Sequence, residues 1–265
     1  MPQPGGKLLG KLTNLARFLE RRGKVGHVSI PPTPPVRPTV NDNSPSLLGR
    51  RLPSLAATAV VGVVFVAVLG LGVTRFGLLS GFDRGASQAL NTLHSGGLGV
   101  ITSGLYAVLS PIPAVIITAA ISIVIVAITR RFRVALSFAV VVAVTWLPSA
   151  VLKLLIHRPR PDATALSHPF AHQPVDASFP SGHLVFVVAV VVAAVFLARP
   201  GAWRAFALTA GTIFTLIVAF ALMVDGVHYP TDVFASMLWS VSVGPLVCAL
   251  CARVILHRSQ PVAAH

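Results

Sequence analysis

Long stretches with almost no charged residue are the feature that most constrains this chain. Residues 55–77 read LAATAVVGVVFVAVLGLGVTRFG, in which Arg75 is the one charged residue. About 20 apolar residues in a helix cross the hydrocarbon core of a bilayer. Of the 265 residues, 54% are apolar and only 11% are charged, whereas soluble domains carry about 25% charged residues. The sequence therefore predicts an all-α, polytopic membrane protein and excludes a water-soluble enzyme.

Six segments meet the length requirement or come close to it, and the fourth is the shortest. They are 55–77, 112–129, 134–156, 184–198, 205–224 and 233–256. We therefore expect a bundle of six transmembrane helices. Between the first two spans, apolar residues recur at helical spacing from Phe82 to Leu93, which predicts an amphipathic helix at the membrane interface. A re-entrant or partial span is expected over 97–110.

The N-terminal region differs in composition from the spans. Leucines from Leu8 to Leu19 recur at helical spacing among lysines and arginines, and prolines are frequent over 31–38. This pattern predicts a basic helix on an anionic membrane surface, with a solvated helix or a disordered arm as alternatives, followed by an extended linker. We expect three parts: a cytoplasmic arm over 1–50, the membrane domain over 51–256 and a short cytoplasmic tail over 257–265.

The distribution of positive charge predicts the orientation. Lysine and arginine total 21 against 7 acidic residues, a net charge of +14. If residues 1–54, the 130–133 and 199–204 turns and the C-terminal end from Arg253 onward share one side, that side carries sixteen of these cations. By the positive-inside rule this side is cytoplasmic, facing anionic lipid. Topology thus explains the charge excess, and no nucleic-acid partner is expected.

The opposite, outer side collects polar residues of a particular kind. The 44 residues between His183 and His228 suffice for one helix across the membrane and one helix back, so both histidines lie at one face. A helix that begins near Gly182 offers free N–H groups to an anion and permits close approach. Asp232 follows His228 by four residues, so its carboxylate can hold one imidazole nitrogen while the other attacks.

These groups resemble the three-part signature of the type-2 phosphatidic acid phosphatase family. Its first part, lysine, six residues and Arg-Pro, is matched by Lys153, Arg160 and Pro161. Its second part, Pro-Ser-Gly-His, is matched by residues 180–183. The third part, Ser-Arg, five residues, histidine, three residues and aspartate, is matched only in its second half, at positions 228 and 232. The resemblance extends to the six-span layout, over roughly residues 55–255.

The resemblance implies a reaction through a phosphohistidine. By it, His228 is the nucleophile, Asp232 orients that histidine, and His183 is the general acid for the leaving lipid hydroxyl. It implies no metal and no other cofactor. The residues implied to bind the phosphoryl oxygens are Lys153, Arg160, Ser181 and Gly182.

The third part of the signature is incomplete. Ala221 and Leu222 stand where the family has serine and arginine, and Asp225 adds a negative charge nearby. Losing a charged donor to a transition-state oxygen costs on the order of 3 kcal/mol, about a hundredfold in rate. We predict that Arg158 or Arg84 supplies the missing charge and that Asp225 pairs with one of them.

Other polar residues outside the signature are expected to be structural. His94 and His157 are interpreted as polar interface residues, and Asp162 and Asp176 as solvated loop charges. No metal site is expected.

The sequence thus indicates an integral membrane hydrolase that removes phosphate from a phosphomonoester or diphosphate of an outer-leaflet lipid. Polyprenyl phosphates or diphosphates, phosphatidic acid and phosphatidylglycerol phosphate all fit. Two other functions remain open: a lipid-linked phosphotransferase with the same phosphohistidine, and a non-catalytic lipid-phosphate binder or transporter. A transporter is expected to place its polar residues near the bilayer midplane, whereas here they gather at one face. The sequence does not determine an oligomeric state.

Overall fold

The computed structural model describes the backbone of residues 44–256 and the side chains of residues 51–256. The regular elements in this part of the chain are all helices, and it contains no strands. Its elements are α1 (Ser44–Arg75), α2 (Ser80–Asn91), α3 (Gly96–Val108), α4 (Pro111–Thr129), α5 (Phe132–Ile156), a 3₁₀ turn (Ala163–Ala165), α6 (Gly182–Leu197), α7 (Ala202–Val224), α8 (Pro230–Cys251) and a π-helical turn (Ala252–Leu256). The predicted tail and most of the predicted arm lie outside the described residues.

Five helices are long and apolar enough to cross a membrane, which confirms an all-α polytopic membrane protein. They are Arg51–Arg75, Pro111–Thr129, Phe132–Ile156, Ala202–Val224 and Pro230–Leu256. The predicted count of six is not confirmed, because α6 has 16 residues. At 1.5 Å per residue α6 extends about 24 Å, less than the roughly 30 Å of a hydrocarbon core.

Helix α6 lies at the centre of the bundle and packs against α5, α7 and α8. Its side chains from Leu184 to Ala189 are all buried, which is the pattern of a helix that is apolar on every side. Helix α1 packs along α8, and α4 packs against α5 with most of its surface exposed. The short helix α6 is thus enclosed by longer helices.

Helix α2 coincides with the predicted amphipathic helix, but it buries the polar face. Asp83, Ser87 and Asn91, spaced by four residues, are buried. Phe82, on the apolar face, is 61% exposed. In a membrane protein, polar side chains avoid lipid and face the protein interior. Helix α2 therefore packs its polar stripe against α7 and α8.

The turn after α7 is held in place from α2 and needs a glycine. The Asn91 amide donates to the carbonyls of His168 (2.9 Å) and Val224 (3.1 Å), and its oxygen accepts the N–H of His168 at 2.8 Å. Gly226 has a φ of +67°, and a Cβ there would lie 2.5 Å from the Leu166 side chain. This turn determines where the chain emerges next to the start of α8.

Candidate active site

The polar groups predicted to converge do so at one end of the bundle. Lys153 lies in the last turn of α5, His183 in the first turn of α6, and His228 between α7 and α8. His183 interacts electrostatically with both His228 and Lys153. Three segments that are distant in the sequence therefore form one cluster.

His228 is a neutral histidine with a defined tautomer. Its side chain is fully buried, and this burial, with the charges of Arg160 and Lys153, lowers the pKa of His228 well below its ordinary value. Nη1 of Arg160 lies 3.4 Å from Nε2 of His228. Because a guanidinium only donates hydrogen bonds, Nε2 is the acceptor and the ring proton is on Nδ1. Nε2 therefore carries the lone pair that a nucleophile needs.

Asp232 is held by the start of α8 and faces the other nitrogen of His228. Its Oδ2 accepts the backbone N–H of Tyr229 at 2.9 Å and lies 3.7 Å from Nδ1 of His228. The latter distance is longer than a hydrogen bond. Pro230 occupies the first turn of α8, where a missing N–H costs nothing. The helix start thus places the carboxylate beside the imidazole.

Lys153 and Arg160 are both paired with Asp176. Nζ of Lys153 bonds to Oδ2 of Asp176, and Nη2 of Arg160 bonds to Oδ1 at 2.7 Å. Nη1 of Arg160 also donates to the Val227 carbonyl at 2.6 Å. Although its partial burial opposes ionisation, Lys153 and Arg160 lower the pKa of Asp176 to about 2. Asp176 is exposed in a loop, as predicted, but its carboxylate also pairs with both predicted phosphate-binding cations.

Ser181 and Gly182 form the N-terminus of α6. The Ser181 hydroxyl accepts the N–H of Leu184 at 3.5 Å, and the Ser181 N–H donates to the Ser236 hydroxyl at 2.8 Å. The Ser181 N–H, predicted to bind phosphate, is therefore already used inside the protein. Gly182 follows it, at a position where a helix leaves N–H groups without intrahelical partners. A Cβ at Gly182 would meet nothing closer than Trp146, at 3.8 Å, so internal packing does not require this glycine.

His183 lies beside α3 with one nitrogen unpaired. Its ring stacks on Tyr106, with the centroids 4.2 Å apart. Nε2 of His183 is buried and has no hydrogen-bond partner within residues 51–256. An unpaired nitrogen near the His228 imidazole is available to exchange a proton with a bound ligand.

Of the two arginines proposed as a substitute cation, Arg158 is paired with carboxylates and Arg84 is exposed. The Arg158 guanidinium is buried and donates to Oδ1 of Asp232 at 2.5 Å and to Oδ2 of Asp83 at 2.6 Å. Because two carboxylates hold it, the prediction that Arg158 replaces the missing phosphate-binding arginine is wrong. Arg84 is exposed, and its Nε donates to the carbonyl of Ser80 in its own helix at 3.2 Å.

Asp225 pairs with a histidine rather than with an arginine, so the predicted pairing is wrong. Its Oδ1 lies 3.3 Å from Nε2 of His94, whose Nδ1 lies 2.6 Å from the carbonyl of His168. Burial raises the pKa of Asp225 to about 6, against the opposing effects of Thr102 and His94. Its charge is therefore compensated locally. Leu222 is buried in the apolar core around α6.

Two site residues were missed by sequence reasoning. Asp83 contacts Arg158 from 75 positions away, and Asp176 contacts Lys153 from 23 positions away. The polar spacing of Asp83, Ser87 and Asn91 was a usable signal, because a polar stripe on a membrane-protein helix faces inward. For Asp176, in an irregular segment, the sequence carried no comparable signal.

Comparison with known proteins gives a family model, a curated relative and a solved structure that match this chain. The family model described as PAP2 superfamily matches residues 132–255. Undecaprenyl-diphosphatase BcrC of Bacillus subtilis (strain 168) is 31% identical over 94 residues, 36% of this chain and 46% of that protein. The chain thus spans about half the length of this relative. The crystal structure of a transmembrane PAP2-type phosphatidylglycerolphosphate phosphatase from Bacillus subtilis matches with a TM-score of 0.61 and 21% identity, over 77% of this chain and 98% of that one. This last likeness shows the fold.

Proposed function

We propose that the protein is a membrane phosphatase of the PAP2 superfamily, whose family model matches residues 132–255, and that it acts on a lipid phosphate. The observation that carries this proposal is the buried, neutral His228, with Arg160 beside Nε2 and Asp232 beside Nδ1. Phosphoryl transfer is mostly positioning and charge stabilisation. This arrangement supplies a nucleophile, a partner for its developing positive charge and an adjacent cation.

In the first step, Nε2 of His228 attacks the phosphorus of the lipid phosphate. The P–N bond forms as the bond from phosphorus to the leaving oxygen breaks. Burial and the neighbouring cations lower the pKa of His183 to about 3 in the free protein, so His183 takes up a proton when the negatively charged phosphate binds beside it, and it donates this proton to the leaving oxygen. Lys153 and Arg160 exchange Asp176 for the phosphoryl oxygens, and the N–H of Gly182 adds a further donor. Asp232 stabilises the positive charge that develops on the His228 ring.

In the second step, water attacks the phosphohistidine. His183, now deprotonated, accepts a proton from that water, the P–N bond breaks, and inorganic phosphate leaves. His228 returns to its neutral form with the proton on Nδ1. Each side chain ends the cycle as it began, so the reaction needs no metal.

A polyprenyl diphosphate is the substrate we propose to test first. Support comes from the relative that is named as an undecaprenyl-diphosphatase. When a lipid diphosphate is cleaved, the leaving group is a lipid monophosphate. This group is a weaker base than the alkoxide that leaves from a phosphomonoester, so it depends less on protonation by a general acid. Loss of His183 should therefore slow hydrolysis of a diphosphate less than hydrolysis of phosphatidic acid or phosphatidylglycerol phosphate.

We place the site at the outer face, with both termini cytoplasmic. Lys153 and the histidine cluster lie at the C-terminal end of α5, whereas Arg130, Arg131 and Arg133 lie at its N-terminal end. The positive-inside rule assigns that arginine-rich end to the cytoplasm. The substrate would then lie in the outer leaflet with its chain in the bilayer.

The deciding experiment is phosphate release by the purified protein in detergent with EDTA present. Polyprenyl diphosphate, phosphatidic acid and phosphatidylglycerol phosphate are offered to wild type, His228→Gln and the control His157→Gln, which changes an exposed histidine at the end of α5. We expect His228→Gln to lower kcat by about 10⁴ or more and His157→Gln to match wild type. An alkaline quench of wild type with detergent should trap a phosphoenzyme that is stable to base and labile to acid.

Other outcomes would overturn the proposal in identifiable ways. Turnover that survives His228→Gln excludes the phosphohistidine, and turnover that EDTA abolishes shows a metal requirement. Release only when an alcohol acceptor is added identifies a phosphotransferase. Tight lipid binding without release by the folded wild type identifies a non-catalytic binder.

A further inference from the structure

Arg158 joins two buried carboxylates from different parts of the chain. Its Nη1 donates to Oδ1 of Asp232 (2.5 Å) and to the Thr231 hydroxyl (2.7 Å), and its Nη2 donates to Oδ2 of Asp83 (2.6 Å). Both carboxylates are fully buried, and the Arg158 guanidinium lies 4.2 Å from the centroid of the Tyr229 ring. A buried ion pair of this kind is stable only when its hydrogen-bonding groups are satisfied.

Asp83 is fixed by the start of α8, as Asp232 is. Oδ1 of Asp83 accepts the N–H of Thr231 at 3.2 Å, and its Oδ2 accepts the Thr231 hydroxyl at 2.6 Å. Helix α2 is thereby anchored to the first turn of α8, between Tyr229 and Asp232. The same turn carries the carboxylate that faces His228.

The two oxygens of Asp232 have separate partners. Oδ1 bonds to Arg158, and Oδ2 bonds to the Tyr229 N–H and faces Nδ1 of His228. This division fixes the carboxylate plane, because rotation about its axis would break both sets of contacts. The direction in which Oδ2 points at His228 is therefore determined by Arg158.

Charge balance explains why a second carboxylate is present. With Asp232 alone, the Arg158 cation would cancel the charge that stabilises the phosphorylated His228 ring. With Asp83 on its other side, the three side chains carry a net charge of −1. We infer that Arg158 and Asp83 are positioning residues that act through Asp232 on His228, in the reaction proposed above, on which this inference rests.

The kinetic test uses the full-length protein, with single and double substitutions. We expect Arg158→Gln to lower kcat about a hundredfold and Asp83→Asn about tenfold, each with KM changed less than threefold. Arg204→Gln is the matched control, because it removes an exposed arginine at the N-terminal end of α7, opposite the end near His228; we expect it to match wild type.

The double variant Asp83→Asn/Arg158→Gln separates this role from two independent structural roles. Without Arg158, the two carboxylates repel each other and share a proton, so removing Asp83 as well should cost nothing further. We expect the double variant to be at least as active as Arg158→Gln. A further tenfold loss in the double variant, or a rise in KM that accounts for either single loss, overturns the inference.

A readout that does not need turnover keeps this inference distinct from the proposed function. Nitrogen-15 NMR of labelled histidines identifies the His228 resonances by their loss in His228→Gln. We expect His228 in wild type to carry its proton on Nδ1. We expect Arg158→Gln and Asp83→Asn each to shift the His228 signals, and Arg204→Gln to leave them unchanged. If wild type releases no phosphate, the proposed function fails, but these spectra still test whether Arg158 and Asp83 position His228. Unchanged His228 signals in both variants overturn the positioning role.

Discussion

Helix α2 and the loops that carry the signature residues bring polar groups into the same bundle, but they do so differently. The signature residues lie at helix ends and in loops, at 153–160, 181–183 and 228–232. In α2, Asp83, Ser87 and Asn91 enter from one face of a regular helix while Phe82 stays exposed. The first set can be recognised from sequence spacing alone. The second shows that, beside lipid, the polar face of an amphipathic helix is the one that packs.

The largest expected effect is a loss of turnover on substitution of a signature residue, Asp232. Asp232→Asn keeps the size of the side chain but removes the charge beside Nδ1 of His228, so we expect kcat to fall on the order of 10³-fold with little change in KM. The measurement is steady-state phosphate release in detergent, with Asp162→Asn, an exposed loop carboxylate, as control. Near-wild-type turnover in Asp232→Asn would remove this carboxylate from the reaction.

The next effect concerns the buried polar stripe of α2, and it is measured as a change in the stability of the fold. Asn91→Ala removes an amide that bonds to the carbonyls of His168 and Val224 and accepts the N–H of His168. Leaving these buried groups unpaired should destabilise the fold by about 2–3 kcal/mol. Thermal unfolding in detergent measures this, against Gln88→Ala on the exposed face of the same helix. Equal unfolding temperatures for the two variants would show that the buried polar stripe contributes nothing.

Gly182→Ala sharpens the assignment of the α6 N-terminus as a phosphate site. A Cβ there has room within the protein, so the unfolding temperature should not fall, whereas KM should rise about tenfold because phosphate is kept away from the helix N-terminus. Gly85→Ala in α2, where a Cβ also meets nothing within 4 Å, is the control. A Gly182→Ala variant with unchanged KM would place the phosphate elsewhere.

The smallest effect concerns the carboxylate that holds the phosphate-binding cations. Asp176→Asn frees Lys153 and Arg160, so KM and the inhibition constant for inorganic phosphate should each fall about threefold. Because the pKa of Asp176 is about 2, its carboxylate is ionised throughout the range from pH 5 to pH 8. The ratio of the wild-type KM to the KM of the variant should therefore be the same across this range. A higher KM in the variant would show that Asp176 positions the cations for substrate.

How far the sequence predicted the fold can be judged from α6 and α2. Five of the predicted spans are confirmed, because helix length and apolar composition are local properties. Helix α6 was counted as a sixth span, yet its 16 residues are enclosed by α5, α7 and α8. Burial within protein and burial within lipid select the same apolar residues, so composition did not distinguish them. For α2, the helix was predicted correctly, but not which of its faces packs.

How far the sequence predicted the site can be judged from its cations. The sequence spacing correctly predicted that Lys153 and Arg160 lie at the same end of the bundle as the histidines. It did not show that Asp176 pairs with both cations. Arg158 was predicted to bind phosphate, and its guanidinium is instead held by Asp83 and Asp232. The sequence shows that a residue is charged, whereas its partner depends on which segments pack together.

By itself, the sequence determined the membrane environment, the helices long enough to cross it and the residues that we propose carry the chemistry. These follow from local composition and from spacings of a few residues, which act within a single helix or turn. The tertiary structure decided which carboxylate each cation meets, and hence the predicted division of roles between Arg160 at the phosphate site and Arg158 behind Asp232. The physical reason is distance along the chain: Asp83 and Thr231 are 148 positions apart, and only packing of α2 against α8 brings them together.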